Sequence, residues 1–101
     1  LRYLQSALDQ NPSYFPALLN AGQIAGRLGR YDQAITHLRR ATAIRPDDPE
    51  GWYFLGLGLS STGGRTEATT ALRRSLELSP PDGKRRGKIQ QLLTALQAQS
   101  P

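Results

Sequence analysis

The amino-acid sequence predicts an all-α protein built from a repeated pair of helices. A proline returns every 34 residues, at Pro12, Pro46 and Pro80. Each interval holds two stretches with apolar residues at helical spacing, and no stretch alternates apolar and polar residues as a strand would. A period of about 20 to 50 residues indicates supersecondary units that stack on one another. We therefore expect a helical repeat rather than a closed globule.

Six helices are predicted, and the first belongs to an incomplete unit. Leu4 precedes Pro12 by the distance that separates Leu38 from Pro46, so the chain is expected to open inside a unit whose first half is missing. We expect this open N-terminal edge to be covered by preceding protein or to cause self-association, because about three repeats are normally needed for stability. The predicted helices are 1–10, 14–28, 31–44, 49–62, 65–78 and 83–98.

The first complete pair begins with weak start signals at Ser13 and Pro16. Apolar residues recur at helical spacing from Leu18 to Ala25, and Gly29 then interrupts the pattern. Glycine commonly ends helices because it adopts left-handed backbone conformations without strain. The second helix of the pair resumes the pattern directly after this stop.

The second pair has clearer signals at both ends of its first helix. Asp48 supplies a capping carboxylate, Pro49 suits the first helical position, and Glu50 places an acid in the first turn. Gly63 predicts the stop. Asp82 is expected to favour the start of the last helix in a similar way.

Small residues recur where the helices of each pair are expected to cross. Gly22 and Gly56 each cost about 1 kcal/mol relative to alanine inside a helix, so a repeated glycine suggests a repeated packing requirement. Ala34 and Ala68 supply small residues on the second helices. The side chains expected to interlock across these contacts are Leu18, Leu38, Trp52 and Leu72.

This pattern resembles that of the tetratricopeptide repeat (TPR) family. One copy of the motif consists of Trp52, Leu55, Gly56, Leu59, Ala68, Leu72 and Pro80, and the other of Leu18, Ala21, Gly22, Ala25, Ala34, Leu38 and Pro46. The resemblance implies a right-handed α-solenoid of antiparallel helix pairs. It divides the chain into the end of a truncated repeat, two full repeats and a C-terminal solvating helix, at 1–14, 15–48, 49–82 and 83–101.

The resemblance also implies a function, because family members usually bind a peptide or a helix of another protein in a concave groove. We therefore expect a non-enzymatic interaction module, a scaffold or adaptor that is part of a longer TPR protein. Arg27 and Tyr53 stand out in the expected groove, since guanidinium and aromatic groups dominate interface energetics. The expected groove residues are Leu19, Gln23, Gly26, Arg27, Glu50, Tyr53, Leu57, Ser60, Lys84, Lys88 and Gln91.

One subclass of the family holds the carboxyl terminus of heat-shock chaperones in a clamp of basic and Asn side chains. Lys84 and Lys88 match two basic clamp positions. Leu19, Gln23 and Phe54 stand where Lys, Asn and Asn would be expected, so this sequence has half of the clamp. The two lysines still fit an acidic ligand.

The charge of the chain favours an acidic partner, since 13 Lys and Arg residues outnumber 8 Asp and Glu residues for a net charge of +5. The densest basic cluster, Lys84-Arg85-Arg86-x-Lys88, either meets such a partner or simply solubilises the last helix. Arg39-Arg40 and Arg73-Arg74 form a basic stripe that we expect to be solvated. The alternative function is a basic surface for nucleic acid or another polyanion, but aromatic and basic residues do not interleave as base stacking requires.

Catalysis, metal binding and cofactor binding are not predicted. The chain has no cysteine, and its one histidine, His37, is expected to face solvent, so the usual metal sites and nucleophile–base pairs cannot be assembled. Residues 58–66 lack the lysine and the preceding strand of a phosphate-binding loop. No apolar run approaches the roughly 18–20 residues of a membrane span. We expect a soluble segment, for which cytoplasm and periplasm fit equally.

Overall fold

The computed structural model describes residues 15–80 and 82–98, and all regular secondary structure within these ranges is α-helical. The predicted all-α class is confirmed. The predicted helix at 1–10 lies outside the described residues. The helices are α1 (Phe15–Arg27), α2 (Tyr31–Ile44), α3 (Pro49–Ser61), α4 (Arg65–Leu78) and α5 (Arg86–Ala98).

The helices pack in chain order as two hairpins followed by a single helix. α1 packs most extensively on α2, and α3 packs most extensively on α4. α2 also packs on α3 and joins the hairpins, while α5 packs on α4. A smaller contact between α1 and α3 brings the first helices of the two hairpins side by side, which creates the surface described below.

Each hairpin turns at a glycine with left-handed backbone, as the sequence predicted. Gly29 has φ of 77° and Gly63 has φ of 83°. The Arg30 N–H donates to the Ala25 carbonyl at 2.8 Å, and the equivalent bond after α3 ends at the Leu59 carbonyl. These bonds satisfy carbonyls that a helix end would otherwise leave unpaired.

The start of α3 is capped as predicted, whereas the start of α5 is not. The Asp48 carboxylate accepts a 2.9 Å hydrogen bond from the Glu50 N–H, and Pro49 is the first helical residue. The prediction for Asp82 is wrong, because α5 begins only at Arg86 and its first turn carries no acid. The Gly83 N–H instead donates to the Pro80 carbonyl and closes a turn before the helix.

The predicted close approach of the helices in each pair is confirmed. A Cβ atom added to Gly22 would lie 2.5 Å from the Leu38 Cγ, and one added to Gly56 would lie 2.7 Å from the Leu72 Cγ. Each leucine therefore occupies the space that a side chain on the facing helix would need. Leu38 and Leu72 are almost completely buried.

Trp52 contributes less to the core than the sequence suggested. It is half-buried at the edge of the apolar cluster, and its indole N–H donates to the Pro46 carbonyl at 2.8 Å. The corresponding Leu18 is fully buried. Since an indole nitrogen needs a hydrogen-bond acceptor, Trp52 lies where the loop before α3 supplies one.

The joint between the hairpins depends on two further glycines that the sequence analysis did not assign to packing. A Cβ on Gly51 would lie 3.2 Å from the Thr42 Cγ2, and one on Gly58 would lie 3.3 Å from the Ile35 Cγ1. α3 therefore approaches two helices closely: α2 at Gly51 and Gly58, and α4 at Gly56.

Gly56→Ala should destabilise the chain, because the new methyl group would overlap Leu72. Overpacking of this kind costs about 1–3 kcal/mol and exceeds the roughly 1 kcal/mol that alanine gains over glycine in a helix. The matched control is Gly87→Ala, since a Cβ there meets nothing within 4 Å. Urea unfolding should place Gly56→Ala below and Gly87→Ala at or above the unsubstituted chain; equal midpoints would contradict the packing argument.

Candidate functional site

A cavity of about 480 Å³ lies where α1, α2, α3 and α5 meet. Most of its surface comes from apolar or small residues, which is typical of sites that bury apolar groups of a ligand. The described residues that line it are Gly22, Gln23, Gly26, Arg27, Tyr31, Ala34, Leu38, Phe54, Leu57, Gly58, Ser60, Ser61 and Leu92.

Glycines in α1 make room for this cavity. Gly22 brings α1 against α2, whereas a Cβ on Gly26 would meet no atom within 4 Å and would point into open space. Phe54 and Leu57 of α3 and Leu92 of α5 supply the larger apolar surfaces. The cavity therefore combines bare backbone on one side with apolar side chains on the other.

The structure divides the expected groove residues among several positions. Those that line the cavity are Gln23, Gly26, Arg27, Leu57 and Ser60. Glu50 and Lys84 line a separate cavity of about 270 Å³ between the start of α3 and the turn before α5. Lys88 and Gln91 are exposed on α5, whereas Leu19 and Tyr53 are buried, with 8% and 4% of their surfaces exposed.

Tyr53 is the clearest departure from the sequence-based expectation. The Arg85 guanidinium lies 4.7 Å from the centre of its ring and 5.0 Å from the centre of the Phe54 ring. The two rings meet edge to face at 5.1 Å. Because the turn before α5 places Arg85 over these rings, Tyr53 belongs to the packing between α3 and this turn rather than to an exposed groove surface.

The basic cluster before α5 is largely used inside the fold. Besides stacking on the rings, Arg85 forms an ion pair with Glu50 at 3.4 Å. Arg86 Nη1 donates to the carbonyls of Leu76 and Ser79, at 3.0 and 3.2 Å, and so satisfies acceptors at the end of α4. The sequence predicted two roles for this cluster, contact with an acidic partner or solubilisation of the last helix. Neither role includes these contacts within the fold.

Phe54 and Leu92 are among the eight lining residues that lie outside the groove expected from the sequence. In the sequence Phe54 stands out only as a departure from the chaperone clamp, and Leu92 recurs at helical spacing with Ile89 and Leu96. In the sequence, the one property that they share is a large apolar side chain. In the structure, both side chains are only partly buried beside the core. The residues that Phe54 and Leu92 face depend on how α5 packs against the other helices.

The basic stripe on the second helices is exposed and partly paired. Arg39 forms a 2.8 Å ion pair with Glu67, which joins α2 to α4, and Arg74 forms a 3.3 Å pair with Glu77 within α4. Exposed pairs of this kind contribute about 0–1 kcal/mol each. Their main effect is to reduce the positive charge that this surface presents.

His37 does not face solvent freely, contrary to expectation. Its side chain is half-buried, and its Nδ1 atom is shielded without a hydrogen-bond partner. Burial and the neighbouring Arg40 charge both lower the His37 pKa below its ordinary value of 6.5, with burial the larger cause. Within the described ranges, no cluster of three or more acidic, histidine or cysteine residues could hold a metal ion.

None of the described helices is both long enough and apolar enough to cross a bilayer.

Stability should decline as the pH falls below the ordinary histidine pKa of 6.5, because the unfolded chain binds a proton on His37 before the folded chain does. The contribution of neutral His37 to stability is fully present above the pKa of the unfolded chain. It is lost as the pH falls to the lower pKa of the folded chain. His37→Gln should flatten the profile of urea midpoint against pH in this window. An unchanged slope in the variant would show that other groups cause the dependence.

Arg86→Met should loosen α5, because methionine keeps the apolar stem but cannot donate to the Leu76 and Ser79 carbonyls. Leaving these acceptors without a charged donor should cost about 1–3 kcal/mol. Faster amide hydrogen exchange in α5 would measure the loss, with Lys88→Met as the exposed control on the same helix. Equal exchange rates in the two variants would contradict an anchoring role for Arg86.

Comparison with known families gives one match that covers more than half of the chain. The model of the tetratricopeptide repeat family matches residues 1–57 of the 101. The match includes the motif residues of the first hairpin and the start of α3.

Two curated proteins are similar in sequence. The cytochrome c-type biogenesis protein CycH of Rhizobium meliloti (strain 1021) is 30% identical over 103 aligned positions, which cover 89% of this chain and 27% of CycH. CycH of Bradyrhizobium diazoefficiens is 38% identical over 61 positions, which cover 60% of this chain and 16% of that protein. The chain thus spans about a quarter or less of the length of these relatives.

Solved structures with a similar fold include the type III secretion translocator chaperone SycD of Yersinia enterocolitica. It has a TM-score of 0.89 at 18% identity, covering 96% of this chain and 69% of SycD. SycD in complex with a peptide of the translocator YopD has a TM-score of 0.87 at 18% identity, covering 96% of this chain and 76% of that one. At this identity the likeness concerns the fold.

Proposed function

Because the chain belongs to the tetratricopeptide repeat family, we propose that it is a protein–protein interaction module that binds a segment of a partner in the cavity between α1, α3 and α5. The observation that carries the proposal is this cavity of about 480 Å³ with a mostly apolar lining. It has room for more than one apolar side chain, and burying such side chains provides affinity without any chemical reaction.

The lining also favours binding over catalysis. Among the described residues that line the cavity there is neither a carboxylate nor an imidazole, so Ser60 and Ser61 have no base beside them that could activate a hydroxyl. The Ser60 hydroxyl is shielded and has no hydrogen-bond partner. The family and the similar folds agree with an interaction module.

Binding of nucleic acid is less well supported than binding of a protein. A polyanion needs a row of available cations and exposed aromatic rings on which bases can stack. Arg85 is engaged with Glu50, Arg39 is paired with Glu67, and Tyr53 is buried. The structure therefore adds no observation in favour of the polyanion alternative.

The partner and the architecture are proposed by analogy with the relatives. CycH is a cytochrome c-type biogenesis protein, so we assign this module to a longer protein of that process, with its ligand a segment of another protein of cytochrome c biogenesis. SycD holds a translocator peptide on a similar fold, which supports a peptide ligand. In this proposal residues 15–48 and 49–82 are two full repeats and the following helix closes the array.

Gly26→Leu should abolish binding, because Gly26 lines the cavity and the Cβ of the new side chain would point into open space rather than against a neighbour. A suitable probe is an array of overlapping 15-residue peptides that covers the c-type cytochromes and cytochrome biogenesis proteins of Rhizobium meliloti. The matched control is Gly87→Leu, which places the same side chain at an exposed position on α5.

The unsubstituted chain and the Gly87→Leu control should bind the same subset of peptides, and Gly26→Leu should lose that subset. Circular dichroism must show equal helicity for the two variants. Undiminished binding by Gly26→Leu would exclude this cavity as the binding site.

A further inference from the structure

The cavity is bordered by positive charge that the described part of the chain does not neutralise. Arg27 is the one charged side chain among the described residues that line the cavity. It lies in the last turn of α1, is exposed, and forms no ion pair with any described residue. A carboxylate brought to this edge would therefore meet a guanidinium that has no ion pair among the described residues.

A second exposed cation, Lys88, lies on α5 one helical turn before a residue that lines the cavity. Lys88 precedes Leu92 by one helical turn, so the two side chains lie on the same side of the helix. Leu92 lines the cavity, whereas Lys88 is exposed and forms no ion pair within the described ranges. Two helices thus contribute one available cation each beside an apolar cavity.

The acid at the start of α3 is already engaged within the fold. Glu50, at the start of α3, pairs with Arg85, whose guanidinium also covers the Tyr53 and Phe54 rings. Glu50 thus pairs with Arg85 rather than with Arg27 or Lys88, and neither of these two cations has an ion pair with another described residue. Charge complementarity therefore selects against basic ligands and in favour of acidic ones.

We propose that the preferred ligand is an apolar stretch of polypeptide flanked by carboxylates, whose apolar side chains enter the cavity while acidic side chains meet Arg27 and Lys88. This inference rests on the proposed function and names the class of segment that the cavity selects. Burial of the apolar side chains supplies most of the affinity, and the two charges supply the selectivity. Exposed ion pairs are modest, so we expect a preference of roughly fivefold to twentyfold for acidic over neutral flanks at low salt.

The test uses the 101-residue chain and four acetylated, amidated peptides. Three share the core Leu-Leu-Phe-Leu and carry two Glu, two Gln or two Lys residues on each side; the fourth has Glu flanks around a Ser-Ser-Ser-Ser core. Binding is measured by titration of the ¹H–¹⁵N resonances of Gly22, Gly26 and Gly58, which line the cavity. The variants are Arg27→Gln and Lys88→Gln, and the control is Arg73→Gln, an equal loss of charge at an exposed position on α4.

The Glu-flanked apolar peptide should bind most tightly and the Lys-flanked one least. Arg27→Gln and Lys88→Gln should each reduce the preference for Glu over Gln flanks by about twofold to fivefold, because each should weaken binding of the Glu-flanked peptide more than binding of the Gln-flanked one. Arg73→Gln should change neither the preference for Glu over Gln flanks nor the affinity for either of these two peptides. Raising the salt concentration should narrow the preference without removing apolar binding.

Equal affinities for Glu and Gln flanks, or equal effects of Arg27→Gln, Lys88→Gln and Arg73→Gln, would overturn the inference while leaving the proposed function intact. Equal binding of the serine-core peptide, or displacement of the bound peptide by an oligothymidine of eight nucleotides, would also overturn the inference. Either result would show that the site recognises anions in general. If no peptide shifts the three glycine resonances, the proposed function itself fails.

Discussion

The structure depends on a leucine that occupies the place of a missing side chain in each hairpin. Leu38 fits against Gly22 and Leu72 fits against Gly56, at distances that no Cβ would allow. These contacts set the separation of the helices in each pair. Because α1 and α3 are held against α2 and α4 in this way, the space between them is determined by backbone packing rather than by flexible surface side chains.

The last helix is attached by a different kind of interaction. α5 buries Ile89 and Leu96, but its beginning is tied by Arg86 to the carbonyls at the end of α4 and by Arg85 to Glu50 and the rings of α3. The same helix supplies Leu92 to the cavity. The contacts that close the helical array therefore also complete one wall of the proposed binding site, which couples the docking of α5 to the shape of that wall.

Local signals predicted the helix boundaries well where one residue type has a single physical role. Gly29 and Gly63 stop their helices through left-handed backbone, and Asp48 caps α3 with its carboxylate. The prediction failed at Asp82, because Gly83 closes a turn that delays the start of α5 to Arg86. Proline, glycine and an acid in close succession are compatible with a turn as well as with a cap, and the neighbouring helices decide between them.

The sequence by itself determined the all-α class, the 34-residue period, the two hairpins and the glycine contacts, because these follow from local backbone preferences and from spacing along one helix. Only the tertiary structure decided that Tyr53 is buried, that Arg85 and Arg86 act inside the fold, and that Phe54 and Leu92 line the cavity. Helical spacing assigns a residue to a face of its own helix, whereas the neighbour that covers this face depends on the docking of α5, to which residues distant in sequence contribute.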